Sequence, residues 1–204
     1  MNVLVSRRNY QLNIRESLKR FIYFAVFVLL IAGCSVSSVF AGQQKAGEYQ
    51  VKAAFLYNFI NFIDWPSQSS LKSSPNITVC IIGDDPFGDA LEDLLNEPVQ
   101  GKKLAIKYRS YDDLRGCNIL FLPVSEKHRT AKILRSIGNS DVLTVSDTVE
   151  SAQQGIIISF YIEQQKVRFT VNVGAAKRAG LRISAKLLKL ATIVDSGEGK
   201  DSTE

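Results

Sequence analysis

The sequence predicts an α/β fold: a three-layer sandwich with a mostly parallel central sheet, a late antiparallel hairpin and helices on both faces. Three observations support this prediction. Apolar runs alternate with segments of helical periodicity, which is typical of strand–helix–strand units. The run NILFL, residues 118–122, is typical of a strand covered on both faces. Two further runs, separated only by Gln164 and Gln165, have the spacing of a hairpin.

The N-terminal segment has the three parts of a secretory signal peptide. Its basic region sets one acid, Glu16, against Arg7, Arg8, Arg15, Lys19 and Arg20. An apolar stretch follows at residues 21–32, and Val39 and Ala41 place small residues before a cleavage site. The stretch is shorter than the roughly 20 apolar residues of an ordinary membrane-spanning helix. We predict a signal peptide over residues 1–41, with an uncleaved N-terminal anchor as the alternative.

A second cleavage site competes with the first. The string IAGC, residues 31–34, resembles the bacterial lipoprotein box, in which the cysteine, here Cys34, is lipidated and becomes the first mature residue. Cleavage after Ala41 is the preferred prediction. It is followed by a short polar leader at 42–47, a single domain at 48–194 and a polar tail at 195–204 that is expected to be disordered.

Loss of the signal peptide changes the charge of the chain. The formal net charge is +5, and residues 1–41 carry +4 of it, which leaves about +1 on 163 residues. The basic character of the whole chain is therefore poor support for nucleic-acid binding, and export excludes DNA as a partner. A length of 163 residues suits one domain with a proper core.

Two cysteines, Cys80 and Cys117, remain after cleavage at Ala41. An even pair in an exported chain suggests a disulfide. Cys80 lies within one apolar run and Cys117 directly precedes another, so a bridge is reasonable if the two runs are neighbouring strands. Two buried free thiols are the alternative.

Each predicted element follows from local periodicity. The first helix, from Glu48 to a stop before Pro66, has a stripe of Val51, Phe55, Phe59 and Phe62. The remaining predictions are a strand at 77–82, a helix at 87–95, a strand at 104–109, a helical turn at 112–115, strands at 118–122 and 142–145 around a helix at 126–137, the hairpin runs 155–163 and 166–173, and a long helix at 173–194.

The long C-terminal helix is expected to be amphipathic. At 100° per residue, its basic residues fall within an arc of about 80°; they are Arg178, Arg182, Lys186 and Lys189. The opposite face is apolar and would pack on the sheet. The basic stripe is a candidate surface for an acidic partner or for membrane headgroups, and an ordinary solvated face is the alternative.

The turn GDDP, residues 83–86, follows a predicted strand and raises the question of a site. In open α/β sheets, ligands bind beyond the carboxyl ends of the strands, so Asp84, Asp85, Ser146 and Asp147 form a candidate ligand crevice. The turn lacks the glycines of a dinucleotide loop and the lysine of a P-loop. The preferred interpretation makes Asp85 the N-cap of a helix that begins at Pro86. A metal site of Asp84, Asp85 and Asp147 is a weaker alternative.

Catalytic motifs are missing from the sequence. It contains no G-x-S-x-G, H-E-x-x-H or C-x-x-C string. Its one histidine, His128, lies in the polar stretch SEKHRT and is expected to be a solvated surface residue. We therefore predict no enzyme activity, no catalytic or metal-binding residue and no cofactor.

Several motifs together resemble the YfiR-like periplasmic repressor family. They are KAAFLYNFINFIDWP, ITVCIIGDDPFGDAL, CNILFL, LTVSD, GIIISF and, most specifically, VRFTVNVGAAKRAGLRISAKLLKLATIV at residues 167–194. The resemblance covers about residues 48–194. It implies an α/β sandwich, often dimeric, whose stability is tuned by disulfides. Some relatives carry a second cysteine pair that TVESAQQG, residues 148–155, lacks, so redox switching through that pair is not expected here.

The resemblance also implies a function. The best-known members are soluble periplasmic proteins that hold an inner-membrane diguanylate cyclase inactive, and an outer-membrane lipoprotein can sequester them. We expect the same role in cyclic-di-GMP signalling and biofilm formation. The expected partner is the periplasmic domain of such a cyclase, and an outer-membrane lipoprotein is a second, optional partner. The expected assembly is a homodimer. The alternative is a periplasmic small-ligand sensor acting on another membrane protein. A hydrolase with a dispersed site is a third class, which the single histidine disfavours.

Overall fold

A computed structural model describes residues 37–194, with side chains from Gly47 onward except that of Ser70. The chain divides into two compact units, residues 1–46 and 47–204. Most of the predicted signal peptide, Cys34 and the tail at 195–204 lie outside the described residues. Within the described residues, no helix is both long enough and apolar enough to cross a membrane.

The elements alternate between helix and strand, as the sequence predicts. In chain order they are α1 (Ser37–Phe62), β1 (Ile63–Asp64), α2 (Ser70–Ser73), β2 (Asn76–Ile82), α3 (Asp89–Glu92), β3 (Lys103–Arg109), β4 (Ile119–Leu122), a 3-10 helix (Val124–Arg129), α4 (Thr130–Ile137), β5 (Leu143–Ser146), a second 3-10 helix (Val149–Ala152), β6 (Ile158–Glu163), β7 (Lys166–Asn172), α5 (Val173–Arg178), β8 (Arg182–Ile183), α6 (Ala185–Leu188) and β9 (Thr192–Val194).

Seven strands form one mixed sheet in the order β3-β2-β4-β5-β6-β7-β9. All neighbouring pairs are parallel except β6 and β7, which form the antiparallel hairpin. The short strands β1 and β8 pair separately and antiparallel. The predicted fold class, a mostly parallel α/β sheet with a late hairpin, is confirmed.

The part of α1 that belongs to the second unit, residues 47–62, covers one face of the sheet. Phe59 is fully buried and its ring stacks on that of Phe160, with centroids 5.8 Å apart, and meets Phe169 edge-on at 5.2 Å. The predicted stripe is rotated from the observed one: Val51 is 46% exposed, whereas Lys52 is buried. The hydrocarbon part of a lysine side chain can be buried in the core. A helical stripe predicted from apolar residues alone therefore omits Lys52.

The opposite face of the sheet carries a second, smaller core. Ile133 of α4 packs there with Cys80, Leu120 and Leu122. The predicted helix at 126–137 is in fact two pieces, the first 3-10 helix and then α4. Because α1 and α4 lie on different faces, helices cover both sides of the sheet, as predicted.

The predicted C-terminal helix at 173–194 is wrong. Helix α5 ends at Arg178, and Gly180 follows with φ +70°, a left-handed conformation that favours glycine. Ser184 then caps α6, since its hydroxyl accepts a hydrogen bond from the Leu187 amide at 3.3 Å. Between and after the two helices, β8 pairs with β1 and β9 pairs with β7. These long-range pairings override the local helical periodicity.

Two smaller predictions are corrected, and the hairpin is confirmed. The helix predicted at 87–95 shrinks to the four residues of α3, and residues 112–115 form no helix. The hairpin turn is as predicted, and both of its residues have positive φ, 49° for Gln164 and 61° for Gln165. Positive φ at both positions is the requirement of a type I′ turn, which glutamine satisfies here without being a favoured residue.

A disulfide joins Cys80 to Cys117, with Cα atoms 5.7 Å apart. Cys80 lies on β2 and Cys117 just precedes β4, and these two strands are hydrogen-bonded neighbours. The pairing predicted from the even cysteine count is therefore confirmed.

Removal of this disulfide should lower the free energy of unfolding. The bridge links residues 37 apart, and constraint of an unfolded loop of that length contributes about 2–4 kcal/mol. Urea unfolding, followed by the fluorescence of the single tryptophan Trp65, would measure the loss in a Cys80→Ala/Cys117→Ala variant. Dithiothreitol should destabilise the wild type and leave the variant unchanged. An equal effect of dithiothreitol on both proteins would contradict the assignment.

Candidate functional site

The carboxyl ends of three parallel strands meet at one edge of the sheet. The register aligns Ile81 of β2 with Phe121 of β4, and Phe121 with Val145 of β5. The loops that follow these strands are therefore neighbours. They supply three members of what we call the carboxyl-edge cluster, and α1 supplies the other two; the cluster is Tyr49, Lys52, Phe87, Glu126 and Asp147.

Asp147 connects the loop after β5 to the first helix. Its Oδ2 accepts a hydrogen bond of 2.6 Å from the Tyr49 hydroxyl. Its Oδ1 is buried without a hydrogen-bond partner among the described residues. Burial raises the pKa of the Asp147 carboxyl, and the Tyr49 hydrogen bond and the Lys52 charge oppose that rise without cancelling it. An ionised Asp147 is thus costly in the folded protein.

Tyr49 links two loops through opposite parts of its side chain. Its hydroxyl binds Asp147, and its ring packs edge-on against Phe87 with centroids 5.4 Å apart. Phe87 in turn packs against Phe121 of β4 at 4.6 Å. Burial, followed by the hydrogen bond to Asp147, raises the pKa of the Tyr49 phenol, so this group stays protonated at physiological pH.

Lys52 brings a positive charge into the same cluster. It is only 3% exposed and forms a salt bridge with Glu48 one turn earlier in α1. Its Nζ lies 4.5 Å from the centre of the Tyr49 ring and 5.9 Å from that of Phe160. A buried ammonium with one carboxylate and two ring faces around it is held by cation–π as well as ionic attraction.

The GDDP turn is held by its own side chains. Asp85 Oδ1 accepts a hydrogen bond from the Phe87 amide, and Oδ2 accepts one from the Tyr108 hydroxyl, each at 2.8 Å. That second bond raises the pKa of the Tyr108 phenol. The prediction that Asp85 caps a helix beginning at Pro86 is wrong, because α3 begins only at Asp89, and Asp85 instead stabilises the turn itself.

Gly83 is required where the turn passes Glu126. Its φ is +73°, and a β carbon added there would lie 2.7 Å from Glu126 Oε1. Glu126 is buried and both of its carboxylate oxygens accept from Arg129, at 3.1 and 3.0 Å. Glycine at position 83 therefore allows a buried, paired carboxylate to sit under the loop.

Three of the four residues of the predicted ligand crevice are paired with other side chains of the protein. Asp147 binds Tyr49, Asp85 binds Tyr108, and the Ser146 hydroxyl pairs with the hydroxyls of its neighbours Thr148 and Ser151. Asp84 is exposed at the surface. Across the described residues, no group of three histidine, cysteine or acidic side chains is arranged to hold a metal ion, so the alternative metal site is not assembled.

Sequence reasoning missed Tyr49 and Lys52. Tyr49 is 98 residues from Asp147, and no local pattern predicts their contact. The spacing of Glu48 and Lys52 at i and i+4 predicts their ion pair. It does not predict that Lys52 is buried, because such pairs ordinarily lie on the solvated surface of a helix.

The predicted basic stripe is dispersed. Arg178, Arg182, Lys186 and Lys189 are all exposed. They belong to α5, to β8, to α6 and to the residue after α6, respectively, so they are not one face of one helix. Arg182 lies 3.4 Å from Asp64 of β1. His128 is exposed on the first 3-10 helix, as predicted.

Asp147→Asn should change how stability depends on pH. The folded-state pKa of Asp147 is raised above its ordinary value of 3.8, so the folded protein binds more protons than the unfolded chain between the two values, and stability falls as pH rises through them. The amide stays neutral and can still accept from Tyr49. We expect the variant to gain stability relative to wild type as pH increases from about 4 to 7.

Urea unfolding at a series of pH values would measure this difference. Asp84→Asn provides the baseline, because that exposed carboxylate in the neighbouring loop has no described partner. If wild type and Asp147→Asn follow parallel pH curves, the carboxyl of Asp147 does not titrate as its surroundings require.

Two solved structures are weakly similar to part of this chain. A conserved domain protein from Vibrio cholerae O1 biovar El Tor is 13% identical, with a TM-score of 0.43, over 60% of this chain and 55% of its own. An ABC domain in complex with L-Trp from Streptococcus pneumoniae is 11% identical, with a TM-score of 0.42, over 58% and 55%. The chain thus spans little more than half the length of either, and neither likeness bears on function.

The family comparison covers far more of the chain. The sequence pattern of the YfiR/HmsC-like family matches residues 49–192. The match includes α1 from Tyr49 onward, the disulfide, the GDDP turn, Asp147 and the segment from β7 into the start of β9. The chain belongs to the YfiR/HmsC-like family.

Proposed function

We propose that this protein is a periplasmic regulator that binds and represses an inner-membrane diguanylate cyclase, and so controls cyclic-di-GMP synthesis and biofilm formation. The observation that carries the proposal is the family match over residues 49–192, because the YfiR/HmsC-like family is one of periplasmic regulators of cyclic-di-GMP signalling. Export by the N-terminal signal peptide, or as a variant anchored through a lipid on Cys34, would place the protein beside such a cyclase.

The carboxyl-edge cluster supports a binding role rather than an enzymatic one. In the cluster, Glu126 is paired with Arg129, and in the adjoining GDDP turn Asp85 accepts two hydrogen bonds from the protein. Tyr49 is buried, and its hydroxyl donates a hydrogen bond to Asp147. A nucleophile or a general base needs an open path to a substrate, whereas these groups are used to hold loops in place.

The C-terminal segment is the surface we assign to the partner. Arg182, Lys186 and Lys189 are exposed there, and so are two large apolar residues, Leu190 at 67% and Ile193 at 51%. Exposed apolar side chains beside positive charges suit an acidic protein surface, because apolar contacts supply affinity and complementary charge guides association. A homodimer and an outer-membrane lipoprotein partner belong to the same proposal.

Charge reversal on this segment should weaken binding to the cyclase. We expect Arg182→Glu/Lys186→Glu/Lys189→Glu to lower affinity for the periplasmic domain of the cyclase on the order of tenfold or more. Cellular cyclic-di-GMP and biofilm should rise accordingly. Surface plasmon resonance at low and high salt would measure the affinity, and the wild-type interaction should weaken with salt.

A triple variant with the same change in charge serves as the control. Lys72→Glu/Lys107→Glu/Lys127→Glu alters three exposed lysines on other elements and should bind normally. Equal loss in both variants would mean that net charge matters and the C-terminal segment does not.

The cyclase itself should be recovered by a direct test. A pull-down of the mature protein from its own envelope fraction, read by mass spectrometry, should yield an inner-membrane protein with a cytoplasmic cyclase domain. Unchanged cyclic-di-GMP and biofilm after deletion of the gene, under every condition tested, would refute the proposed repression.

A further inference from the structure

The seven-stranded sheet ends on one side in the outer strand β3. This strand runs for seven residues, Lys103–Arg109, and pairs with β2 along its whole length. On its other side, no strand of the described residues lies beside it. An outer strand presents backbone N–H and C=O groups with which a further strand can pair. The open side of β3 is therefore a surface to which an extended segment can add.

The hydrogen bond at the start of β3 determines which residues face this open side. The Lys103 amide donates to the carbonyl of Pro75, the residue before β2, at 3.2 Å. Backbone groups alternate in direction along a strand, so every second residue from Lys103 bonds to β2 in this parallel ladder. The N–H and C=O groups of Leu104, Ile106 and Tyr108 accordingly point away from β2. Leu104 is buried, but Ile106 is half-buried and Tyr108 is 59% exposed, so the second half of the open side is accessible.

The two faces of β3 differ in chemistry. One face carries Lys103 and Lys107, which are exposed and make no ion pair with any described residue. The other face carries Ile106, which packs against the main core, and the ring of Tyr108, whose hydroxyl is bonded to Asp85. Alternate residues of a strand lie on the same face. A segment that pairs with β3 would thus set one row of its side chains beside lysines and the other row beside apolar groups.

Charge decides between the candidate occupants of the open side. A second copy would place β3 against β3, and its exposed lysines would then lie close to the same lysines of the other strand, which is unfavourable. An acidic segment would place carboxylates beside Lys103 and Lys107 instead. Arg109 adds no free charge, because it is paired with Asp113 at 3.1 Å. Lysine on an outer strand also hinders unwanted strand pairing, and the experiment below separates the two roles.

We propose that the open side of β3 binds an extended segment of another protein in which acidic and apolar residues alternate. The segment pairs its backbone with Ile106 and Tyr108, sets its apolar side chains beside theirs and sets its carboxylates beside Lys103 and Lys107. The proposal goes beyond the repression proposed above and does not rest on it. Because β3 and β9 are the opposite outer strands of the sheet, this site is separate from the C-terminal segment assigned to the cyclase.

A synthetic heptapeptide of alternating glutamate and valine tests the site. NMR titration of the isotopically labelled mature protein should give saturable binding, with a Kd of about 1 mM or tighter, that weakens as salt is added. Two control peptides accompany it. A peptide of alternating lysine and valine has the opposite charge, and one of four glutamates followed by three valines has the same composition without the alternation. Each control should bind at least about tenfold more weakly.

Hydrogen exchange locates the bound peptide on the strand. The Ile106 amide points away from β2 and gains a hydrogen bond only when a segment adds to the open side, whereas the Lys107 amide already bonds to β2 in the ladder. The alternating peptide at saturation should therefore slow exchange of the Ile106 amide at least about tenfold and that of the Lys107 amide much less.

Two pairs of variants separate the backbone contribution from the charge. Ile106→Pro removes the outward N–H, which an outer strand tolerates, while Ile106→Ala loses side-chain packing and keeps the N–H. The proline variant should bind the alternating peptide at least about tenfold more weakly than the alanine variant. Lys103→Glu/Lys107→Glu should weaken binding about tenfold, and Lys72→Glu/Lys127→Glu, which changes exposed lysines on other elements, less than about twofold.

Thermal unfolding checks that the four variants remain folded. If Ile106→Pro does not fold, exchange of the Ile106 amide in the wild type decides whether the backbone takes part.

Any of four results would overturn the proposal. Absence of saturable binding of the alternating peptide would mean that the lysines only hinder strand pairing. Equal affinity for the peptide without alternation would mean that charge alone binds it. Unchanged exchange at Ile106 would place the peptide elsewhere. If Ile106→Pro abolishes self-association in sedimentation experiments and leaves peptide affinity unchanged, the occupant is a second copy of the chain.

Discussion

A mostly parallel sheet must be covered on both faces, and this requirement organises the rest of the protein. Helix α1 covers one face through Phe59, which meets Phe160 and Phe169 of the hairpin. Helix α4 covers the other face over the core that contains the disulfide. A parallel sheet has no solvated face, so neither layer can be lost without exposing the strands, and the register of α1 on the sheet determines which of its polar residues become buried.

That register carries Tyr49 and Lys52 to the carboxyl edge. Once there, Tyr49 joins the loops after β2 and β5 by packing on Phe87 and binding Asp147. A buried polar network of this kind is costly if a member lacks its partner, and Asp147 has one buried oxygen, Oδ1, without a partner among the described residues. Burial also raises the pKa of this carboxyl. The network stabilises one arrangement of the loops at the edge where open α/β sheets commonly bind ligands.

The two edges of the sheet therefore differ in character. At the carboxyl edge the polar side chains are largely occupied by one another, and Gly83 lies too close to Glu126 for any side chain. At the amino edge a cavity remains among the ends of α4 and α5 and the residues that lead into β5 and β6.

The sequence by itself determined the α/β class, the parallel strands, the hairpin and the Cys80–Cys117 pair, because each of these depends on apolar periodicity or on a simple count. Only the tertiary structure decided the C-terminal segment, where Gly180 and the pairing of β8 with β1 and β9 with β7 divide an apparent helix. It also decided the Tyr49–Asp147 contact across 98 residues. Local periodicity indicates which apolar residues are buried. The backbone conformation that buries them is determined by partners distant in sequence.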